Sequence, residues 1–254
     1  MIICIFMFRH KNNARTFSHN FRLATFLSFV AGLVNICGVF AWSELTTNVT
    51  GHFAYFAKGL MTNEGFRDFY SLLYILSFFA GSFVSSFLNE YFIMKKSKSP
   101  HRLSLLLEIM ILIIIGLFHS VIVDNRILVM ALLFAMGLQN SIVSKISNSA
   151  VRTTHLTGLF TDLGIELSQI FFNGATQKKE LLKSIELRLT IVAFFFTGCI
   201  AGGGLYMSIK LKTLVLGALI LVLALIYDKM LLRYYVIKKK VSQMTTTKVL
   251  NKGH

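Results

Sequence analysis

Two short stretches hold the residues of this chain that can do chemistry. Thr47-x-x-Thr50-Gly51-x-Phe53 recurs as Thr154-x-x-Thr157-Gly158-x-Phe160. The first lies in residues 44–60 with Glu44, Thr46, Asn48, His52 and Lys58. The second lies in 152–172 with Thr153, His155, Thr161, Asp162, Glu166 and Gln169. Hydroxyls, amides and a glycine-opened backbone suit the binding of a small solute or ion. The glycines equally suit close helix packing, with the threonines bonded to their own helix. His52 titrates near neutral pH. Asp162 and Glu166 are four apart and share a helix face. At membrane depth they are functional candidates, and at a surface they are solvated. Asn35, Gln139 and Asn140 sit inside apolar runs, where a buried amide needs a partner. That partner is either a solute in a cavity or a neighbouring helix. Asn35 and Asn140 hold matching places, in Gly32-Leu33-x-Asn35 and Gly137-Leu138-x-Asn140, which favours the cavity.

The elements that position these groups follow from composition. The chain has 254 residues, 55% hydrophobic, 13% aromatic and 15% charged, with one proline. Soluble domains carry about 25% charged residues. A chain this apolar and aromatic is not disordered. Cys4, Cys37 and Cys199 lie too far apart for a disulfide scaffold. The mean hydropathy of +0.67 is that of a membrane protein. A net charge of +15 on a soluble chain would suggest nucleic acid. Here the charges are segregated, and that excludes it. Six apolar runs, 23–43, 69–94, 103–123, 127–147, 189–209 and 213–232, hold only Glu90, Glu108, Lys145, Asp228 and Lys229 among charged residues. A hydrocarbon core of roughly 30 Å takes about 20 helical residues. The fold class is all-α, a polytopic transmembrane bundle in the lipid bilayer. Glu108 has no equivalent in the second half and is expected near the inner interface, close to Arg102.

The two polar stretches would be costly as lipid-exposed spans. They are read as short broken or re-entrant segments. Six crossings with both termini inside place 21 Lys and Arg on the inner side and five outside. Eight crossings give 18 against eight, so the positive-inside rule favours six. The organisation is then a basic cytoplasmic segment, 1–22; a first membrane repeat, 23–123; a second, 127–232; and a basic cytoplasmic tail, 233–254. The opening Met1–Phe8 precedes its basic residues, the reverse of a secretory signal. It is either a short amphipathic anchor or an overhang ahead of a start at Met7.

Phe78-Phe79-x-Gly81 and Phe195-Phe196-x-Gly198 form a third matching pair, in the same order as the others. Three spans per half is an odd number, so the halves take opposite orientations. A 3+3 inverted repeat with polar broken elements is a signature of secondary transporters.

At these residues the chain resembles the YoaK-like membrane proteins, domain of unknown function 1275. The likeness rests on FVAGLVNICGVF, TTNVTGHF, FFAGSFVSSFL, MGLQNSIVSKI and VRTTHLTGLFTDL, and covers roughly residues 20–235. It implies an integral inner-membrane protein of bacterial type with no settled activity. The family pattern usually carries an acid where this chain has Asn35, and Asn where it has His52. An acid there would carry a proton; Asn35 does not.

Gly198 and Gly202-Gly203-Gly204 read as a helix-packing face. The chain has no G-x-x-x-x-G-K-[ST], H-E-x-x-H or C-x-x-C. No metal, cofactor or catalytic role is expected. The expected function is a secondary permease for a small solute, with a second copy of the chain as a partner that seals the path. The solute would meet Asn35, Thr47, Asn48, Thr50, Gly51, His52, Gln139, Asn140, Thr154, Thr157, Gly158 and Asp162. The alternatives are an accessory membrane protein without a substrate, and an intramembrane enzyme using His52 with Glu44 or Asp162.

Overall fold

Four of the long helices of this protein are each followed within two residues by one in a left-handed conformation. The computed structural model describes residues 17–62, 66–97, 99–122, 124–147, 149 and 151–227. Its helices are α1 (Phe17–Trp42), α2 (Val49–Thr62), α3 (Phe66–Met94), α4 (Arg102–Phe118), α5 (Asn125–Ser147), α6 (Leu156–Gln169) and α7 (Ala175–Ile209). A last helix covers 213–227, and no strand occurs among the described residues. The Met1–Phe8 segment and the tail 233–254 lie outside them. The positive-φ residues Ser43 (57°), Lys96 (53°), Ser149 (62°) and Lys210 (53°) follow α1, α3, α5 and α7 in turn. A left-handed residue takes the backbone out of its helix.

Among the described residues, five helical stretches are long and apolar enough to cross a membrane: Phe21–Trp42, Phe69–Met94, Arg102–Val121, Asn125–Ser147 and Ala175–Tyr227. The fifth contains the apolar run 189–209 and most of the run 213–232. Only a single 3-10 turn, Lys210–Lys212, separates them. The chain nevertheless reverses there. Before the turn, Gly203 lies beside Ile36 and Phe40 of α1. After it, Gly217 lies beside Leu33 and Val30, and Arg22 donates to the Tyr227 hydroxyl at 3.3 Å. The last helix is therefore antiparallel to α1.

The helices α2 and α6 have 14 residues each, too few to span a bilayer. The tightest packing is backbone on backbone. A Cβ at Gly32 would overlap the Phe195 carbonyl, and one at Gly198 the Phe29 carbonyl, so α1 and α7 meet face to face. A Cβ at Gly137 would overlap the Phe78 carbonyl, and one at Gly81 the Phe134 carbonyl, so α5 meets α3 in the same way. Small residues let helices approach this closely without a hydrophobic driving force. Gly202 and Gly203 join the α1 contact, while nothing lies within 4 Å of a Cβ at Gly204.

Around these contacts Leu23, Leu27, Leu33, Leu112, Leu132, Met136, Ile142, Leu214 and Leu221 form one buried core. Phe79, Phe83 and Phe87 of α3 stack in an exposed ladder, as a lipid-facing surface does. Glu108 stands within the helix bundle. It is wholly buried, and neither carboxylate oxygen has a hydrogen-bond partner among the described residues. The α4 rotation that buries Leu105, Ile109 and Leu112 carries Glu108 to the same face.

Candidate functional site

The interruptions that follow α1 and α5 are built alike. Past Ser43 the chain is non-helical to Asn48, and past Ser149 the described chain is non-helical from 151 to 155. In each, a threonine reaches back to an asparagine of the preceding long helix. Thr47 Oγ1 donates to Asn35 Oδ1 at 2.9 Å. Asn140 Nδ2 donates to Thr154 Oγ1. These bonds satisfy amides that would otherwise be costly in an apolar helix. The neighbouring threonines differ. Thr46 Oγ1 donates to the Val34 carbonyl at 3.4 Å. Where the first half has Val34, the second has Gln139, whose amide donates to Thr153 Oγ1 at 3.3 Å and to the Leu27 carbonyl at 3.0 Å.

The short helices then begin. Asn48 Oδ1 accepts from the Gly51 N–H at 3.1 Å and caps α2. His155 precedes α6 without making a side-chain cap bond, and its ring fills the place a Cβ would take at Gly158. The glycines thus sit within the first helical turns. The interruption falls upstream of them, because the left-handed Ser43 and Ser149 have already ended the long helices.

Between the two interruptions lies a cavity of about 1140 Å3. Its lining draws like positions from both halves: Asn35 with Asn140, Thr47 with Thr154, Asn48 with His155, Val49 with Leu156, Thr50 with Thr157, and Phe78 with Phe195. Ser82, Ser86, Ser141, Ser144, Lys145 and Arg152 complete much of the polar wall. Lys145 is partly buried. Its ammonium donates to Ser86 Oγ at 3.0 Å and pairs with Glu90 at 2.6 Å.

Of the twelve residues expected at the site, Asn35, Thr47, Asn48, Thr50, Asn140, Thr154 and Thr157 line this cavity. Five do not. Gly51 lies against the capping Asn48, and Gly158 under His155. Gln139 is buried in its bonds to α1 and Thr153. His52 turns away toward α3. Its Nε2 donates to the Leu45 carbonyl at 2.8 Å, its Nδ1 lies 3.9 Å from Glu44, and its ring meets Tyr74 edge-on. Burial holds the imidazole below the ordinary histidine range, partly offset by the Leu45 bond. Asp162 accepts from Arg188 Nη1 at 2.6 Å, and Glu166 accepts from Arg188 Nε at 2.9 Å and from Ser184 Oγ at 2.6 Å. The two acids do share a face, and that face ties α6 to α7. Lys145 and the serines of α5 were missed as site residues. Asn140, Ser141, Ser144 and Lys145 form a polar stripe at helical spacing, which is the signal that identifies them. Arg152 has no such signal, because it stands in an interruption.

The pattern of a family described as "Protein of unknown function (DUF1275)" matches residues 23–227. The chain is 25% identical over 182 residues to a transmembrane protein, YoaK, of Bacillus subtilis, covering 70% of this chain and 80% of that protein. No solved structure matches.

Proposed function

The chain belongs to this family of membrane proteins of unknown function, DUF1275, and from that premise we propose that it is a secondary permease for a small solute. It crosses the bacterial cell membrane six times with both termini in the cytoplasm. The Ala175–Tyr227 stretch has 53 residues, about 80 Å of helix at 1.5 Å per residue, against a core of roughly 30 Å. Its reversal at Lys210 supports two crossings. The halves form an inverted repeat, supported by the matched contacts of Gly32 with Phe195 and of Gly137 with Phe78. Each contact joins one half to the other, so α1 with α7 and α3 with α5 act as two bodies. Rocking of these bodies opens the cavity to one side and then the other. We assign no catalytic step.

One observation carries this reading: a single cavity lined by like residues from both halves, with both short helices starting at its wall. A growth and metabolite screen on a strain lacking the gene supplies the solute. Uptake of that solute into proteoliposomes, lost in Asn35→Leu and Asn140→Leu while membrane insertion persists, is the expected result. Full restoration of the deletion phenotype by both variants would assign the amides to packing alone and remove the reading.

A further inference from the structure

We infer that the solute of this cavity is an anion. The inference rests on the permease reading and adds the charge of what is carried. Among the described residues the lining holds two cations, Lys145 and Arg152, and no aspartate or glutamate. Arg152 is exposed, and its side chain makes no hydrogen bond or ion pair among the described residues. Lys145 has Glu90 as a partner, yet Glu90 is 58% exposed against 23% for Lys145 and does not line the cavity. The pair offsets part of the Lys145 charge, and Arg152 is the cation left to a solute.

The first turns of α2 and α6 add to this field. Val49 and Thr50, and Leu156 and Thr157, all stand on the cavity wall. Helix starts carry partial positive charge. The cationic character is confined to one side. The positions matching Lys145 and Arg152 in the first half are Phe40 and Leu45. Lys145 lies at the end of α5 and bonds near the end of α3, so the cations mark the end of the cavity toward the α3–α4 connection. The ligand class is a small carboxylate or phosphate, for which Arg offers bidentate recognition.

The test needs no knowledge of the natural solute. In the full chain with Cys4, Cys37 and Cys199 changed to Ala, Ser144→Cys is placed on the cavity wall, and Thr50→Cys in a second preparation. The protein in lipid nanodiscs reacts with an anionic sulfonatoethyl and a cationic trimethylammonioethyl methanethiosulfonate. Rates are taken relative to a free thiol in solution. Potentials of a few kT in a lined cleft favour the anionic reagent by about tenfold. Adding Arg152→Gln and Lys145→Gln brings the ratio toward parity, and Arg152→Lys keeps it. Succinate or inorganic phosphate should slow the labelling, the more effective one naming the carboxylate or phosphate class, and choline should not. A ratio at parity, or one favouring the cationic reagent, at both cysteine positions overturns the proposal. The two readings fail separately. Parity together with uptake of a neutral or cationic solute removes the anion and leaves the permease. A strong anionic preference without any uptake removes the permease and leaves the anion-binding cavity.

Discussion

Gly32 of α1 lies so close to the Phe195 carbonyl of α7 that no side chain fits between them. Gly137 of α5 stands in the same relation to Phe78 of α3. Adding a methyl at either position forces two backbones apart. Gly32→Ala and Gly137→Ala are each expected to cost about 1–3 kcal/mol, the range for overpacking. Gly204→Ala, with open space around it, should leave stability unchanged. Thermal unfolding of the purified chain in detergent checks this, and equal midpoints for all three variants would contradict the backbone contacts.

Asn35 and Thr47 are expected to be coupled. A cycle of Asn35→Leu, Thr47→Val and the double variant should give an interaction of about 1 kcal/mol, the net value of one hydrogen bond. Asn140 and Thr154 should give a similar value. A coupling of zero in both cycles would mean the bonds add nothing beyond shape.

Arg188 holds both acids of α6, and only 21% of its side chain is exposed, against 13% for Glu166. Arg188→Gln leaves the mostly buried Glu166 with its Ser184 bond but without a counter-charge. A loss of about 2 kcal/mol is expected, between the values for exposed and for buried pairs. Protease sensitivity in the α6–α7 connection should rise at the same time. Native resistance in this variant would show that α6 docks without the ion cluster.

His52 predicts a pH dependence of stability. Burial lowers its folded pKa, so the unfolded chain takes up the proton first. Stability is complete above the ordinary histidine value of about 6.5 and falls as pH drops through it toward the lower folded value. His52→Gln keeps a donor for the Leu45 carbonyl but cannot titrate, so its profile in this window should be flatter than the parent's. Denaturation curves across that range measure it. Parallel profiles for parent and variant would assign the titration elsewhere.

Topology is open to labelling. With six crossings, a cysteine at Asn125 reacts with an impermeant reagent added outside intact cells, and one at Ser99 does not. Reaction at Ser99 would put the basic 95–102 loop outside and require eight crossings.

Much of the fold was legible because membrane insertion acts on local quantities. Length and apolarity marked the long helices, and the polar stretches 44–60 and 152–172 marked where they are interrupted, although Thr50-Gly51 and Thr157-Gly158 lie inside α2 and α6. The reach of α7 back to Ala175 was not legible. Its first turns carry Lys178, Lys179, Glu180 and Lys183, and a polar helical turn outside the bilayer resembles a loop in composition. At the site, Asn35, Asn140 and the threonines were legible because polar groups stand out in apolar runs. His52 and Asp162 stand out just as clearly, yet each points to a helix neighbour instead of the cavity.

The sequence by itself determined the membrane class, the long helices, the two polar interruptions and the matching motifs. Each of these depends on composition within one or two helical lengths, where the bilayer does the sorting. Tertiary structure decided which half's helix lies on which, the burial of Glu108 and the separation of cavity-lining residues from helix ties. Those depend on how each helix is rotated about its axis. The helices α1 and α7 are apolar on every side through the membrane stretch, so no periodicity records that rotation. It is set instead by where glycines let two distant backbones touch.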